Sequence, residues 1–368
     1  MMAQLKNKAK LVLWLTLAVF FVAATNGQAF AQYNQFNLVS TSSPSTPNND
    51  VNLVNAWGLA FFPTSPFWVS DAFSGFSTLY DHSGTPLNLV VTIPPAPSQP
   101  FGPAGLPTGI IANPTSDFVI SKNGKSGPAL FIFATLDGTI SGWNPNVDPN
   151  NAVIVIDNST KMPFPASYTG LAIGRNSSGQ IVIFAADSGA TLATSNNEID
   201  MYDGKFNLIG HMSDPKAPSN MTVYGIQNVK GKLYVTYATF TFLGGGAIDI
   251  FNTNGKLTRR FSTNAPGGPL EAPWGIALAP GDFGTFSNAL LFGNVDDGHI
   301  NAFDPKTGSF LGTLTHPNGK KIAISGLWGL QFGAGNPANG DTNQLFFTAG
   351  TNGYRTGLFG MITAKGTD

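Results

Sequence analysis

No cysteine occurs in the chain, which rules out a disulfide framework, a thiolate metal centre and a cysteine nucleophile. The same absence removes the acylation site of a lipoprotein. Charge is scarce too. Charged residues make up 11% of 368 positions, against roughly 25% in ordinary globular chains. Glutamate is nearly missing, with only Glu198 and Glu271. No basic cluster is present, so nucleic acid is not an expected partner. Beyond the N-terminus no apolar run is long enough to cross a membrane. The G-x-S-x-G elbow, the H-E-x-x-H helix and the phosphate-binding G-x-x-x-x-G-K-[ST] loop are all absent.

What the chain does have is 43 glycines, 26 prolines and 29 phenylalanines. That mixture suits short strands joined by tight turns, an all-β protein. At the N-terminus Lys6, Lys8 and Lys10 precede the apolar run Leu11–Ala24, and Ala29-Phe30-Ala31 follows. This is the grammar of a secretory leader, with cleavage expected near Ala31. Residues 1–31 are therefore read as a signal peptide and 32–368 as one domain, periplasmic or extracellular after export. Removing the three leader lysines from 19 basic residues leaves 16 against 20 acidic, a mature net charge of about −4. A monomer is expected.

Self-comparison organises the rest. A glycine followed by Leu or Ile recurs in Trp57-Gly58-Leu59, Thr108-Gly109-Ile110, Thr169-Gly170-Leu171, Tyr224-Gly225-Ile226, Trp274-Gly275-Ile276 and Trp328-Gly329-Leu330. The glycines are 51, 61, 55, 50 and 54 residues apart. Each is followed by an apolar strand such as FWVSD (67–71), QIVIFAAD (180–187) or QLFFTAG (344–350). A third strand then closes on an aromatic and an Asx residue, as in Tyr202-Asp203 and Phe303-Asp304. Four strands per unit and no helical period predict a six-bladed β-propeller. The sixth unit stops after its third strand, GLFGMI (357–362), and FNLVS (36–40) is the spare strand. The N-terminal strand is expected to complete the last blade and close the ring, leaving no open sheet edge.

Strand direction alternates, so the loops entering each first strand share a face with the loops joining strands two and three. Long proline-rich entry loops (94–107, 162–167, 265–273) lie there with Asn55, Asp71, Asp137, Asp187, Glu198, Glu271, Asn294, Asp296 and Asp297. Trp57, Tyr224, Trp274 and Trp328 stand where the chain enters the channel, either packing between blades or stacking on a ligand together with Asn55 and Glu271. The carboxylates and amides suit either turn caps through Asx hydrogen bonds or a hard-cation site. For the latter, Asp187, Glu198, Asn294, Asp296 and Asp297 are the candidate ligands and Ca2+ the candidate ion. NPNVDPN (144–150) lacks the glycine and closing glutamate of a calcium loop. Of the four histidines, His299 alone lies beside acids on this face, next to Asp296 and Asp297.

The phrases LVNAWGLAF (53–61), WGIALAPGDFGTFSNALLFGNVDDGHINAFDPKTGSFLGTL (274–314), GLWGLQFGAG (326–335) and LFFTAG…GLFGMI (345–362) resemble an uncharacterised family of exported bacterial propeller-like proteins. The resemblance covers essentially the whole mature chain and implies a propeller but no activity. Where that family reads Gly-Asn-Phe-Gly-Asp-Gly, this chain has Gly293-Asn294-Val295-Asp296-Asp297-Gly298, with one more carboxylate. More loosely, the blade grammar is similar to NHL repeats and to calcium-dependent gluconolactonases. The latter resemblance implies a metal at the channel mouth held by a Glu of the opening strand with Asn and Asp. Here that strand offers Asn55 and Trp57 instead. The leading expectation is a recognition scaffold for a glycan, small molecule, peptide or envelope protein. The alternative is a calcium-dependent lactonase-like hydrolase, and a purely structural envelope role is a third reading.

Overall fold

In the computed structural model, residues 32–98, 102–189, 196–239 and 244–366 are described. The expected leader, residues 1–31, lies outside them. Successive antiparallel sheets form a six-bladed propeller. Blade I consists of Ala56–Ala60, Phe67–Asp71, Phe76–Tyr80 and Val91–Thr92, and blade II of Pro107–Ala112, Phe131–Thr135, Thr139–Trp143 and Val153–Asp157. Blade III runs through Tyr168–Arg175, Ile181–Asp187, Glu198–Asp203 and Leu208–Met212. Blade IV follows with Met221–Val229, Lys232–Thr239, Gly246–Asn252 and Leu257–Asn264, and blade V with Pro273–Leu278, Leu290–Asn294, Ile300–Phe303 and Phe310–Thr313.

Blade VI is closed as the sequence predicts. Leu327–Phe332, Leu345–Gly350 and Thr356–Ala364 come from the C-terminus, and Tyr33–Ser40 pairs antiparallel with the last of them. Tyr33 fixes this closure. Its ring is fully buried, its hydroxyl donates to the Phe283 carbonyl at 3.0 Å, and the Phe286 amide donates back to it at 3.2 Å. Two pieces were not anticipated: Asn48–Asn49 adds in parallel to Tyr33–Ser40, and a hairpin, Val119–Lys122 with Lys125–Pro128, extends blade II. The hairpin lies within the longest interval between anchors.

Burial follows position in the blade. Second strands sit between neighbouring sheets, and every residue of Phe67–Asp71, Ile181–Asp187 and Leu345–Gly350 is buried. Outer strands such as Phe310–Thr313 stay partly wet.

The anchor glycines form the innermost ring. A Cβ at Gly58 would stand 2.2 Å from the Thr108 carbonyl oxygen, at Gly109 2.4 Å from the Leu171 nitrogen, and at Gly170 3.2 Å from the Tyr224 oxygen. At Gly225, Gly275 and Gly329 it would meet the carbonyls of Trp274, Trp328 and Trp57 at 2.4, 2.3 and 2.9 Å. Each blade's glycine thus abuts the anchor segment of the next blade, and the sixth returns to the first. At every anchor but Gly170 a Cβ would force its neighbours to shift. The antiparallel register also breaks at every anchor, for example between Ala56 and Leu59 and between Leu327 and Leu330. A bulge there turns the preceding side chain out of the ladder toward the axis.

Gly275→Ala should therefore lower stability by about 3 kcal/mol, read as a reduced urea midpoint. Gly267→Ala, at a position with open space around it, should cost less than half as much, chiefly through its positive φ.

Candidate functional site

The local chain reversal that delivers each anchor tryptophan is built in one way. The residue two before Trp57, Trp274 and Trp328 has left-handed φ: Asn55 at 52°, Ala272 at 53° and Gly326 at 66°. The three indoles arrive at the axis together. Trp57 and Trp328 stack with centroids 3.6 Å apart and planes 14° from parallel. Trp274 meets them edge-on at 6.2 and 6.0 Å. Two hydrogen bonds lock the group: Trp328 Nε1 donates to Asn55 Oδ1 at 2.9 Å, and Trp274 Nε1 reaches the Thr169 carbonyl at 2.8 Å. Trp57 Nε1 is buried without a partner among the described residues.

The indoles plug the channel. On one side lies a narrow space of about 30 Å³ lined by Gly58, Gly109, Gly329 and Trp274. On the loop-rich side a cavity of about 330 Å³ opens over Trp57, Trp328 and Tyr224. Its position has a simple cause. Blades I, IV, V and VI place an aromatic at the anchor, whereas blades II and III place Thr108 and Thr169, leaving unfilled volume on that side. Leu106, Leu136 and Phe73 line the cavity on one side, and Ser167, Thr169, Ser188 and Thr222 add hydroxyls on the other. Tyr354 and Ala238 complete the aromatic and apolar lining. No carboxylate is among the described lining residues.

Of the residues singled out from sequence, Asn55, Trp57, Tyr224 and Trp328 line this cavity. Trp274 braces the stack and borders the space beneath. Glu271 lies nearby but is tied to the loops: its Oε2 accepts from the Gly245 amide at 2.9 Å and its Oε1 from the Gly267 amide. Asp296 is exposed, and burial of its immediate surroundings together with the Glu271 and Asp297 charges raises its pKa, against the lowering effect of the Gly244 amide. Asp297 caps the amide of His299 at 3.0 Å and meets its Nδ1 at 2.7 Å. Asn294 is fully buried and donates to the Pro269 carbonyl at 3.3 Å.

The acids of blade III gather elsewhere. Asp187 accepts from the Ser167 amide at 2.9 Å, the Gly189 amide at 3.1 Å and Asn196 Nδ2 at 2.7 Å, while burial pushes its pKa up to about 6. Lys161 stands 3.9 Å from Asp187, 3.3 Å from Glu198 and 3.5 Å from Asp200. Burial works to lower its pKa, but the charges of Asp200, Glu198 and Asp187 outweigh that and hold it above the ordinary lysine value. Asp200, fully buried, also accepts from the hydroxyls of Tyr168 at 2.8 Å and Tyr202 at 3.0 Å and pairs with His211 Nδ1 at 2.7 Å. Ligand atoms of Glu198, Asp200 and His211 lie within 4.8 Å of one another, but the Lys161 ammonium stands among these carboxylates. Thus Asp187 and Glu198 share one cluster in blade III, whereas Asn294, Asp296 and Asp297 belong to blade V with separate partners. The channel mouth offers Asn55, already engaged by Trp328, where a cation would need a carboxylate, so these residues do not fit a calcium ion at that point.

Thr169, Ser188, Thr222, Leu106, Leu136, Phe73 and Tyr354 were not singled out from sequence. The available signal was the change from aromatic to threonine at two of six anchors.

No family model matches the chain. Two proteins of Acanthamoeba polyphaga mimivirus, each described only as uncharacterised, are 30% identical to it. One aligns over 341 residues, 88% of this chain and 78% of the relative, and the other over 351 residues, 91% and 87%. The chain belongs to one family with these viral proteins. Among solved structures, virginiamycin B lyase from Staphylococcus aureus superposes with a TM-score of 0.50 at 12% identity, over 90% of this chain and 99% of that one. A glucose dehydrogenase gives 0.52 at 13%, over 91% and 100%. Identities this low establish a shared propeller fold and nothing about chemistry. No helix among the described residues is long and apolar enough to cross a membrane.

Removing the lysine charge with Lys161→Met should leave three acids facing one another and cost about 2–4 kcal/mol at pH 7. Burial holds the Asp187 pKa up to about 6, above its ordinary value. The deficit should shrink as pH falls through that value and Asp187 protonates in the folded state, which paired urea titrations at pH 7 and pH 5 would show.

Proposed function

We propose that this protein is an exported recognition propeller that captures its partner on the loop-rich face, with the cavity over the tryptophan stack as the point of contact. The observation that carries this reading is the cavity itself: a concave, mainly apolar pocket on the axis with a few hydroxyls along one wall, the usual anatomy of a ligand site. The plug beneath it is rigid, because stacking and two indole hydrogen bonds fix the rings before anything binds, and preorganisation spares the ordering cost of association.

Chemistry has less to stand on. Of the carboxylates that a metal-dependent hydrolase would use, Asp187 is committed to backbone amides, Glu198 to Lys161 and His211, and Asp297 to His299, while Asp296 is exposed in blade V. None of them lines the cavity. Export is part of the proposal through the leader-like residues 1–31, and small molecules, glycans, peptides and envelope proteins are the partner classes to screen.

Phe73 is the variant of choice for the test, since it borders the cavity and is 50% exposed. Phe73→Ala should leave the melting temperature almost unmoved and weaken retention of a partner identified on glycan and envelope-protein arrays by about tenfold. Unchanged retention would remove the cavity from the binding surface. In parallel, EDTA and added calcium should leave the melting temperature of the purified protein the same. A calcium-dependent rise of several degrees would instead favour the hydrolase reading.

A further inference from the structure

We infer that the cavity takes an uncharged, flat and largely apolar molecule that presents a carbonyl or ether oxygen to the Tyr224 hydroxyl. The inference rests on the recognition reading above and adds the ligand's chemical class to it.

Charge is excluded first. Among the described residues the lining holds aromatic, aliphatic, amide and hydroxyl side chains, with no acid, lysine, arginine or histidine. An ion entering it would lose hydration without gaining a counter-charge. Size comes next. About 330 Å³ is the lower end of small-molecule pockets, enough for two or three fused or linked rings.

The polar groups then set the pattern. Tyr224 is only 8% exposed, lines the cavity, and makes no hydrogen bond through its hydroxyl among the described residues. Burial, reinforced by the nearby Tyr354 and Asp296, holds its pKa well above the ordinary value, so the phenol keeps its proton and can donate. On the opposite wall two hydroxyls donate to backbone carbonyls. Ser188 Oγ donates to the Ser167 or Gly189 carbonyl, each at 3.1 Å, and Thr222 Oγ1 to the Ser188 carbonyl at 3.0 Å. The described lining therefore presents mainly donors, the Tyr224 hydroxyl together with Trp57 Nε1, which is buried without a partner among the described residues. A sugar carries a hydroxyl on most carbons and would press several of them unpaired against Leu106, Leu136 and Ala238, each at a desolvation cost. A planar ring system with one carbonyl satisfies Tyr224 and covers the apolar wall.

The test uses three probes with the mature protein. Prodan (6-propionyl-2-dimethylaminonaphthalene) is neutral, flat and carries one carbonyl. 1-Anilinonaphthalene-8-sulfonate has a similar ring system with a negative charge, and maltotriose represents a hydroxyl-rich ligand. Prodan should bind at one site, at least tenfold more tightly than the sulfonate, and maltotriose should not displace it. Tyr224→Phe should weaken Prodan about tenfold and shift its emission to the blue, because the carbonyl loses its hydrogen bond. Thr169→Phe and Ala238→Leu, which fill the cavity from different walls, should each abolish the site, and either serves if the other fails to fold. Equal binding of the sulfonate, absence of Prodan binding, or Prodan binding that survives in a folded cavity-filling variant would overturn the inference. Maltotriose binding that those variants abolish would overturn the ligand class while leaving the recognition reading intact.

Discussion

Six backbones meeting at one axis is the constraint on which the rest of this molecule depends. At each anchor the glycine of one blade lies against the anchor segment of the next, closely enough that a Cβ at Gly58, Gly109, Gly225 or Gly275 would fall within 2.5 Å of backbone. The contact is cyclic, so no blade can relax alone. Hydroxyls reinforce it from the second strands and neighbouring anchors. Thr236 and Thr348 accept from the amides of Gly225 and Gly329 at 2.8 Å, and Thr108 donates to the Tyr168 carbonyl of the next blade at 2.7 Å. Because the register breaks at each anchor, the same device that permits close approach also throws the preceding residue into the channel. Fold and site are therefore one feature seen from two sides.

The consequences for the channel follow from which residue is thrown in. Four aromatics on blades I, IV, V and VI are too many to pack symmetrically around a narrow axis. Trp57 and Trp328 stack, Trp274 turns edge-on, and Tyr224 is left bordering the free volume. Aromatic pairs favour offset-stacked and edge-to-face arrangements, so this packing is a stable floor rather than a loose cluster. The free volume lies toward the threonine anchors of blades II and III. A fully aromatic ring would have filled the mouth, and a fully small one would have left an open channel.

The repeat was legible because close approach favours glycine at every anchor, and the constraint writes itself into sequence at nearly constant spacing. Closure by the N-terminal strand was legible for a similar reason, since one blade lacked a strand and one strand lacked a blade. The hairpin at 119–128 carried its own signal, Asn123-Gly124 with φ of 51° and 79°, the dipeptide that favours a two-residue hairpin turn. Half of the site was visible as the aromatic anchors. The other half was not, because Ser167 and Ser188 look like ordinary turn residues and Thr222 like an ordinary strand residue until the fold brings them to one wall. Glu271 shows the same limit: its role depends on the path of the segments at Gly245 and Gly267, which no local pattern encodes.

The acid cluster of blade III is the feature most readily taken for a reaction centre, and its place in the repeat explains it otherwise. Asp200 and His211 are directly paired across the third and fourth strands. The same relation in blade IV joins Asp249 to Arg260, and in blade V it joins Asn301 to Thr313, whose hydroxyl donates to Asn301 Oδ1 at 2.6 Å. Three chemically different pairs serve one geometric purpose: they satisfy a polar group that the third strand buries at that position. Burying a polar group without a partner is costly, so blades III, IV and V each supply a solution, and an aspartate–histidine pair is one of them. In blade III the fully buried Asp187 adds a further charge, which brings Lys161 inward. The cluster then reads as charge compensation within a blade. The mouth above the tryptophans is lined instead, among the described residues, by apolar, amide and hydroxyl side chains, and it is there that we place the ligand.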